Sequence, residues 1–284
     1  MKNRTLENAM QAEGAAGKAF ARQHGGFYRD EQVLSLIFQP IRMYVRQLHS
    51  ETLRVADIGC GSGIVGSYVG KQLETMGYRV QLVFIDSNKA MLNAIKPSAN
   101  KELVLADISA LPRTVLHHPV DIVVGRQFIQ YIPPATQKTI LEQMHQYLKQ
   151  EGLFVNATGS HEKEKVMRCM TYYLDAILKL RNPKNPAKRY YQTTQTYLSW
   201  MRHVGFSQVR VVGKYAQPCW SSDYYERYGF DKTEMTPTQV EQRVNSILER
   251  LDPDTEIQKA LRITREQEHH TIHIPGRIFV GQKS

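Results

Sequence analysis

Between residues 54 and 160 the apolar positions switch repeatedly between two periods. Short apolar runs of strand length, "RVADIG", "VQLVFID", "ELVLAD", "VDIVVG" and "GLFVNAT", are separated by stretches with helical spacing such as "QKTILEQMHQYLKQ". Strands alternating with amphipathic helices predict an α/β fold, a mostly parallel sheet with helices on both faces. A further helix around "TYLSWMRHVGF" leads into the strand-like "SQVRVVGKY", and the chain closes on "GRIFVGQK". The pattern divides the chain into a helical N-terminal arm (1–48), a core (49–160), a helical insertion with a basic loop (161–192), more core (193–215), a mostly helical insertion (216–274) and a last core strand (275–284). No internal repeat or low-complexity segment interrupts it.

Composition narrows the classes. With 284 residues, 42% of them hydrophobic, the chain can bury a sizeable core. No apolar run approaches the ~20 residues that span a bilayer, and "MKNRTLENAMQAEGAAGKAF" lacks a secretory core, so a soluble, cytoplasmic protein is expected, with no membrane partner. The three cysteines, Cys60, Cys169 and Cys219, are too far apart for a disulfide framework or a C-x-x-C metal knuckle. The net charge of +10 is local: residues 161–215 hold 11 Lys and Arg against 3 Asp and Glu, whereas 216–284 hold 9 against 11. That field can attract an acidic substrate or a phosphate backbone, or be a solvated surface.

The stretch "VADIGCGSGIVG", residues 55–66, is a glycine turn with two readings. From Asp57 it spells D-x-G-x-G-x-G, a turn for S-adenosylmethionine; from Gly61 it spells G-x-G-x-x-G, a turn for a dinucleotide pyrophosphate. Electrostatics separates them. A carboxylate within about 4 Å of a pyrophosphate costs on the order of 4 kcal/mol per charge pair at an effective dielectric near 20, whereas an α-ammonium and a sulfonium are attracted by it. Asp57 therefore favours the sulfonium cofactor. Asp86 ends the second strand, where a carboxylate can take ribose hydroxyls. Asp107 ends the third, where it can accept from an adenine amino group while Ile108 covers the ring.

With "DIGCGSG", "FIDSN", "ADI" and "YLKQEGLFVNATG" in place, residues 50–160 resemble the class I S-adenosylmethionine-dependent methyltransferases, with weaker likeness over 197–214 and 276–283. The resemblance implies a Rossmann-like seven-stranded sheet with an antiparallel strand near one edge. It also implies a cofactor over the carboxyl ends of the first strands, held by Asp57, Gly59, Cys60, Gly61, Gly63, Asp86, Ser87, Asp107 and Ile108, with Arg126 and Gln127 at its methionine end or the acceptor. The chain departs from its relatives after strand four. "GRQFIQYIPP" carries Tyr131 where a histidine is frequent, and Gln127 where an acid often follows.

Subclass is narrowed by what is missing. The [N/D/S]-P-P-[Y/F] stretch of enzymes that methylate base amines is absent, and so are the paired glutamates of arginine methyltransferases. Cys219 in "QPCW" follows the sixth strand, not the fourth, where a pyrimidine C5 nucleophile would be sought. A small-molecule acceptor is the expected substrate. The resemblance to relatives with small acceptors makes Tyr28 in "HGGFYRDE" a candidate lid residue, with Gly25 and Gly26 as its hinge, and Tyr28, Gln127, Tyr131 and Tyr191 are the substrate-binding candidates; His24 and His161 are weak candidates for a general base. Two alternatives stay open: an RNA methyltransferase using the basic surface of 161–215, and a non-catalytic binding protein of the same fold. His269, His270 and His273 in "EHHTIH" invite a metal, but the stretch runs into the last strand, with Ile272 and Ile274 inward, so no metal is expected.

Overall fold

The structure, a computed structural model, describes residues 30–110, 118–181, 188–220, 236–250, 255–266 and 269–284. The first element, α1 (Glu31–Val45), begins where the Asp30 carboxylate accepts from the amides of Gln32 and Val33. Val33, Leu34, Ile37, Phe38, Ile41, Tyr44 and Val45 then fall at helical spacing on one buried face.

Strands β1 (Thr52–Ile58), β2 (Arg79–Asp86), β3 (Lys101–Leu105), β4 (Val120–Arg126), β5 (Leu148–Gly159), β6 (Phe206–Trp220) and β8 (His269–Lys283) form one sheet in the order β3-β2-β1-β4-β5-β8-β6. The short β7 (Thr264–Glu266) pairs with β8. The first five strands are parallel, while β8 runs antiparallel to both β5 and β6. This is the mixed sheet that the resemblance implied. β4 is buried at every position, as a central parallel strand covered on both faces must be.

Helices cover both faces. α1 and α2 (Ile64–Thr75) pack with Leu53, Val55, Leu82, Phe84, Ile122, Val155 and Ile278 on one side. On the other, α4 (Pro134–Tyr147) and α6 (Thr194–His203) pack with Ala56, Ile58, Val83, Val123, Phe154 and Phe279. A third apolar cluster joins α5 (Glu164–Arg181) and α8 (Thr255–Ala260) to Ile272 and Ile274 of β8, with Ile247 of α7 (Pro237–Arg250) against it. The remaining helix is the short α3 (Lys89–Leu92), capped by the Asn88 side chain.

Two expectations change. The strands of the closing hairpin run past the boundaries at 215 and 275: β6 reaches Trp220, and β8 starts at His269, within the "EHHTIH" stretch that runs into the last strand. Pro218 lies on the edge strand, and Pro275 lies one residue beyond the β5 pairing, which stops at Gly159–Gly276. Part of the expected N-terminal arm is core. Residues 31–45 belong to the core, and Tyr28, Gly25, Gly26 and His24 lie outside the described residues. No helix among the described residues is long and apolar enough to cross a membrane.

If α1 is core, truncating its deepest side chain is felt by the whole sheet. Ile41→Ala is expected to lower unfolding stability by about 2–5 kcal/mol in urea titration, as for a cavity in a packed interior; a change below the error of the titration contradicts the placement of α1.

Candidate cofactor and acceptor site

The expected cofactor residues converge on the carboxyl ends of β1 and β2. Parallel pairing sets Asp57 beside Phe84 and Ile58 beside Ile85, so both strands release the chain at the same edge. Gly59, Gly61 and Gly63 then take φ of 60°, 53° and 75°, left-handed conformations that glycine adopts without strain. A Cβ at Gly59 would lie 2.4 Å from Phe128 Cβ, whereas one at Gly61 would meet nothing within 4 Å. The turn is therefore packed tight on one side and open on the other.

Two carboxylates hold this turn. Asp86 accepts from the Gly61 amide at 2.8 Å through Oδ2 and from the Asn88 amide at 2.8 Å through Oδ1. Asp57, 2% exposed, accepts from the Gly66 amide at 2.8 Å in the first turn of α2, a helix with no side-chain cap of its own. Asp57 thus braces the turn from beneath. A Cβ on Gly66 would come within 2.9 Å of it. Burial drives the Asp57 carboxyl up to about 7, against the Gly66 hydrogen bond and with help from the Asp86 charge. Asp86 is also raised by burial, which the amides of Asn88, Gly61 and Ser87 oppose. Cys60, at the turn's apex, has its thiol pushed up by burial and both acids, so it is no thiolate nucleophile. Ser87 is exposed beside Asp86.

At the end of β3, Asp107 is exposed and accepts from both the amide and the hydroxyl of Ser109, while Ile108 packs against the second apolar cluster. Arg126 ends β4 and Gln127 follows it, both buried. Gln127 presents its amide inward: Nε2 donates to the Tyr215 hydroxyl at 2.9 Å and Oε1 accepts from Gln130 at 2.6 Å.

The acceptor candidates lie in connecting segments, Tyr131 in the turn after β4 and Tyr191 just before α6. Tyr191 packs on Gly159, whose Cβ would lie 2.5 Å from the ring. Arg189 stands over the Tyr131 ring at 5.0 Å. The cleft between Gln137, Thr158, Ser160, Tyr190, Tyr191 and Tyr197 has room for about one water molecule. His161 follows β5. Its Nδ1 accepts from the Lys163 amide at 3.1 Å on the approach to α5, and its Nε2 lies 3.7 Å from Glu162, so only Nε2 is available as a base. Burial lowers its pKa. No group of three His, Cys, Asp or Glu residues able to hold a metal occurs among the described residues; the His269 and His270 side chains lie outside them.

Sequence reasoning missed Phe128, which fills the space left by Gly59 and Gly125, and the partners Gln130 and Tyr215. The complementary sizes of Gly59, Gly125 and Phe128 were a usable signal; nothing local marks Tyr215, 88 residues from Gln127.

The raised Asp57 carboxyl gives a signed pH dependence. Its folded value, about 7, lies above the ordinary 3.8 of the unfolded chain, so its contribution is fullest below about pH 4 and is lost as pH rises through 7. Asp57→Asn keeps an acceptor for Gly66 without a titrating group. The stability of the ligand-free wild type relative to Asp57→Asn is expected to decline between pH 5 and pH 8; a constant difference would show that Asp57 ionises normally.

Residues 55–152 match the family model described as "Methyltransferase domain". No curated protein sequence matches the chain significantly. Among solved structures, YcgJ from Bacillus subtilis superposes with a TM-score of 0.61 at 16% identity, covering 85% of this chain and 96% of that one. A candidate methyltransferase from Bacillus halodurans gives 0.60 at 16%, covering 86% and 97%. Phosphoethanolamine N-methyltransferase 2 of Haemonchus contortus, solved with phosphomonomethylethanolamine and S-adenosylhomocysteine, gives 0.56 at 14%, covering 95% and 58%. The family match runs from β1 into β5 and takes in the clamped glycine turn, so residues 55–152 are similar to a methyltransferase domain.

Proposed function

We propose that the protein transfers the methyl group of S-adenosylmethionine to a small-molecule acceptor, held between the glycine turn and the helical cap beyond β5. The observation that carries the reading is the turn itself, three left-handed glycines clamped by the buried Asp57 carboxylate and the half-buried Asp86 carboxylate. The residues fit the cofactor. The free space beside Gly61 lets a ligand approach the backbone, and two carboxyls raised by burial favour a cationic neighbour. Gly59, Cys60, Gly61 and Gly63 would carry its methionine end with Arg126 nearby; Asp86 and Ser87 would take the ribose, and Asp107 and Ile108 the adenine.

When bound, the cofactor supplies a methyl group on a sulfonium already activated for displacement. The chain's own task is to orient the acceptor and exclude water, worth up to about 7 to 11 kcal/mol in favourable cases. A hydroxyl or protonated amine acceptor must also lose a proton, for which His161 Nε2 is the nearest available imidazole nitrogen after β5.

The cap supports a small acceptor. The third apolar cluster builds it as a packed layer on the extended β6–β8 hairpin. Several basic residues of 161–215 are engaged within it: Lys163 pairs with Glu256, Arg168 with Glu164 and Lys214 with Glu162, while Arg189 covers Tyr131. Exposed pairs of this kind add little stability, but they dilute the positive field that an RNA would need.

Calorimetry is expected to find binding of S-adenosylmethionine and S-adenosylhomocysteine that is unaffected by chelator. Asp86→Ala should weaken both at least tenfold with the circular dichroism unchanged, the effect of losing charge-assisted hydrogen bonds worth about 1.5–3 kcal/mol. Unchanged affinity would remove Asp86 from the site. For the acceptor class, binding of a tRNA mixture across 50 to 200 mM salt is the discriminating titration. Weak binding at every salt concentration is expected; tight binding at low salt with a steep fall would favour the RNA reading.

A further inference from the structure

We propose that Tyr215 and Gln127 are positioning residues for the cofactor turn, linking the closing hairpin to Gly59 through Phe128; this rests on the cofactor reading of the same turn. Gln127 has φ of 55°, a left-handed conformation that strains a residue with a side chain, and it is buried. Its backbone and both ends of its amide hold it there. The Gln127 N–H donates to the Ala157 carbonyl at 2.8 Å, its Nε2 donates to the Tyr215 hydroxyl at 2.9 Å, and its Oε1 accepts from Gln130 Nε2 at 2.6 Å. Gln130 Oε1 in turn accepts from the Thr158 hydroxyl at 3.3 Å. All four side chains are buried, so the chain of bonds is shielded from competing water.

The strained residue directs its neighbour. Directly after Gln127, Phe128 folds back over the strand it has just left. Its ring fills the space at Gly125, where a Cβ would lie 2.3 Å from Cε1, and its Cβ occupies the place that a side chain at Gly59 would need. Phe128 is thereby the tight wall of the glycine turn. At the other end, Tyr215 lies against Gly276, whose Cβ would come within 2.2 Å of the ring, so its hydroxyl is set by the β6–β8 hairpin. Burial lifts the phenol to about 12 and Arg126 and Gln127 only partly oppose it, so Tyr215 remains a neutral partner at every working pH. A continuous path runs from β6 through Tyr215, Gln127 and Phe128 to Gly59, and the hairpin that supports the cap also supports the turn.

Packing alone would make these residues matter for stability and nothing else. The path makes them matter for ligand affinity, and it makes their effects dependent on each other. The experiment uses the full chain with S-adenosylhomocysteine as probe, well below the melting temperature. Tyr215→Phe, which keeps the ring on Gly276, is expected to weaken the probe about three- to tenfold, the loss of one buried hydrogen bond. Gln127→Leu should weaken it at least as much, and the double variant no further than Gln127→Leu alone. Amide exchange at Cys60 and Gly61 in the ligand-free protein should be faster in Tyr215→Phe. A Tyr215→Phe protein with a lower melting temperature but unchanged affinity and unchanged exchange at the turn overturns the proposal, as do two variants whose effects simply multiply. A wild-type protein that binds no probe overturns the cofactor reading itself, and the relay falls with it.

Discussion

The Asp57 carboxylate, sealed beneath the glycine turn and bonded to the Gly66 amide, sets the terms for the rest of the site. A buried acid is tolerated only where its lone pairs are taken and a positive potential is near. Here the first turn of α2 supplies both, an unpaired amide and the positive end of the helix dipole. Asp86 repeats the arrangement one strand away, with Gly61 and Asn88 as donors. The Asp86 charge still raises Asp57, and burial raises both acids, so the site enters binding with a deficit that a cationic ligand relieves and a pyrophosphate deepens. The parallel register of β1 and β2 brings both acids to one edge, and the glycines let a ligand approach the backbone between them.

The acceptor side is built differently. There the β6–β8 hairpin outruns β5, and α5 and α8 bury their apolar faces against its far end. Arg277, buried on β8, holds Glu162 through two guanidinium nitrogens, at 3.2 and 2.7 Å. Burial alone would raise the Glu162 carboxyl, but Arg277 carries it down to about 2, so the contact stays ionised. It fixes the segment that leaves β5 and carries His161. Cap and cofactor turn thus hang from the same hairpin, one through Arg277 and the other through Tyr215.

What was legible in the sequence follows from the range of each interaction. Strand and helix periods are local, so the five parallel strands and the helices around them could be read directly. The turn was legible because its left-handed positions demand glycine and its acids sit at strand ends. Partners distant in sequence left no trace: Tyr215 and Gln130 turn Gln127 inward, and no local pattern distinguishes such a glutamine from one that faces a ligand. The full length of the hairpin was not legible because what lets proline sit in it is tertiary: Pro218 lies on an edge strand and Pro275 beyond the β5 ladder.

The central claim is that the clamped turn receives the cofactor. A crystal structure of the protein grown with S-adenosylhomocysteine tests it most directly. The product is expected along the carboxyl ends of β1 and β2, with its amino-acid end against Gly61 and its ribose hydroxyls on Asp86. Product bound elsewhere on the protein, with the Gly59–Gly63 turn free of ligand, would contradict it.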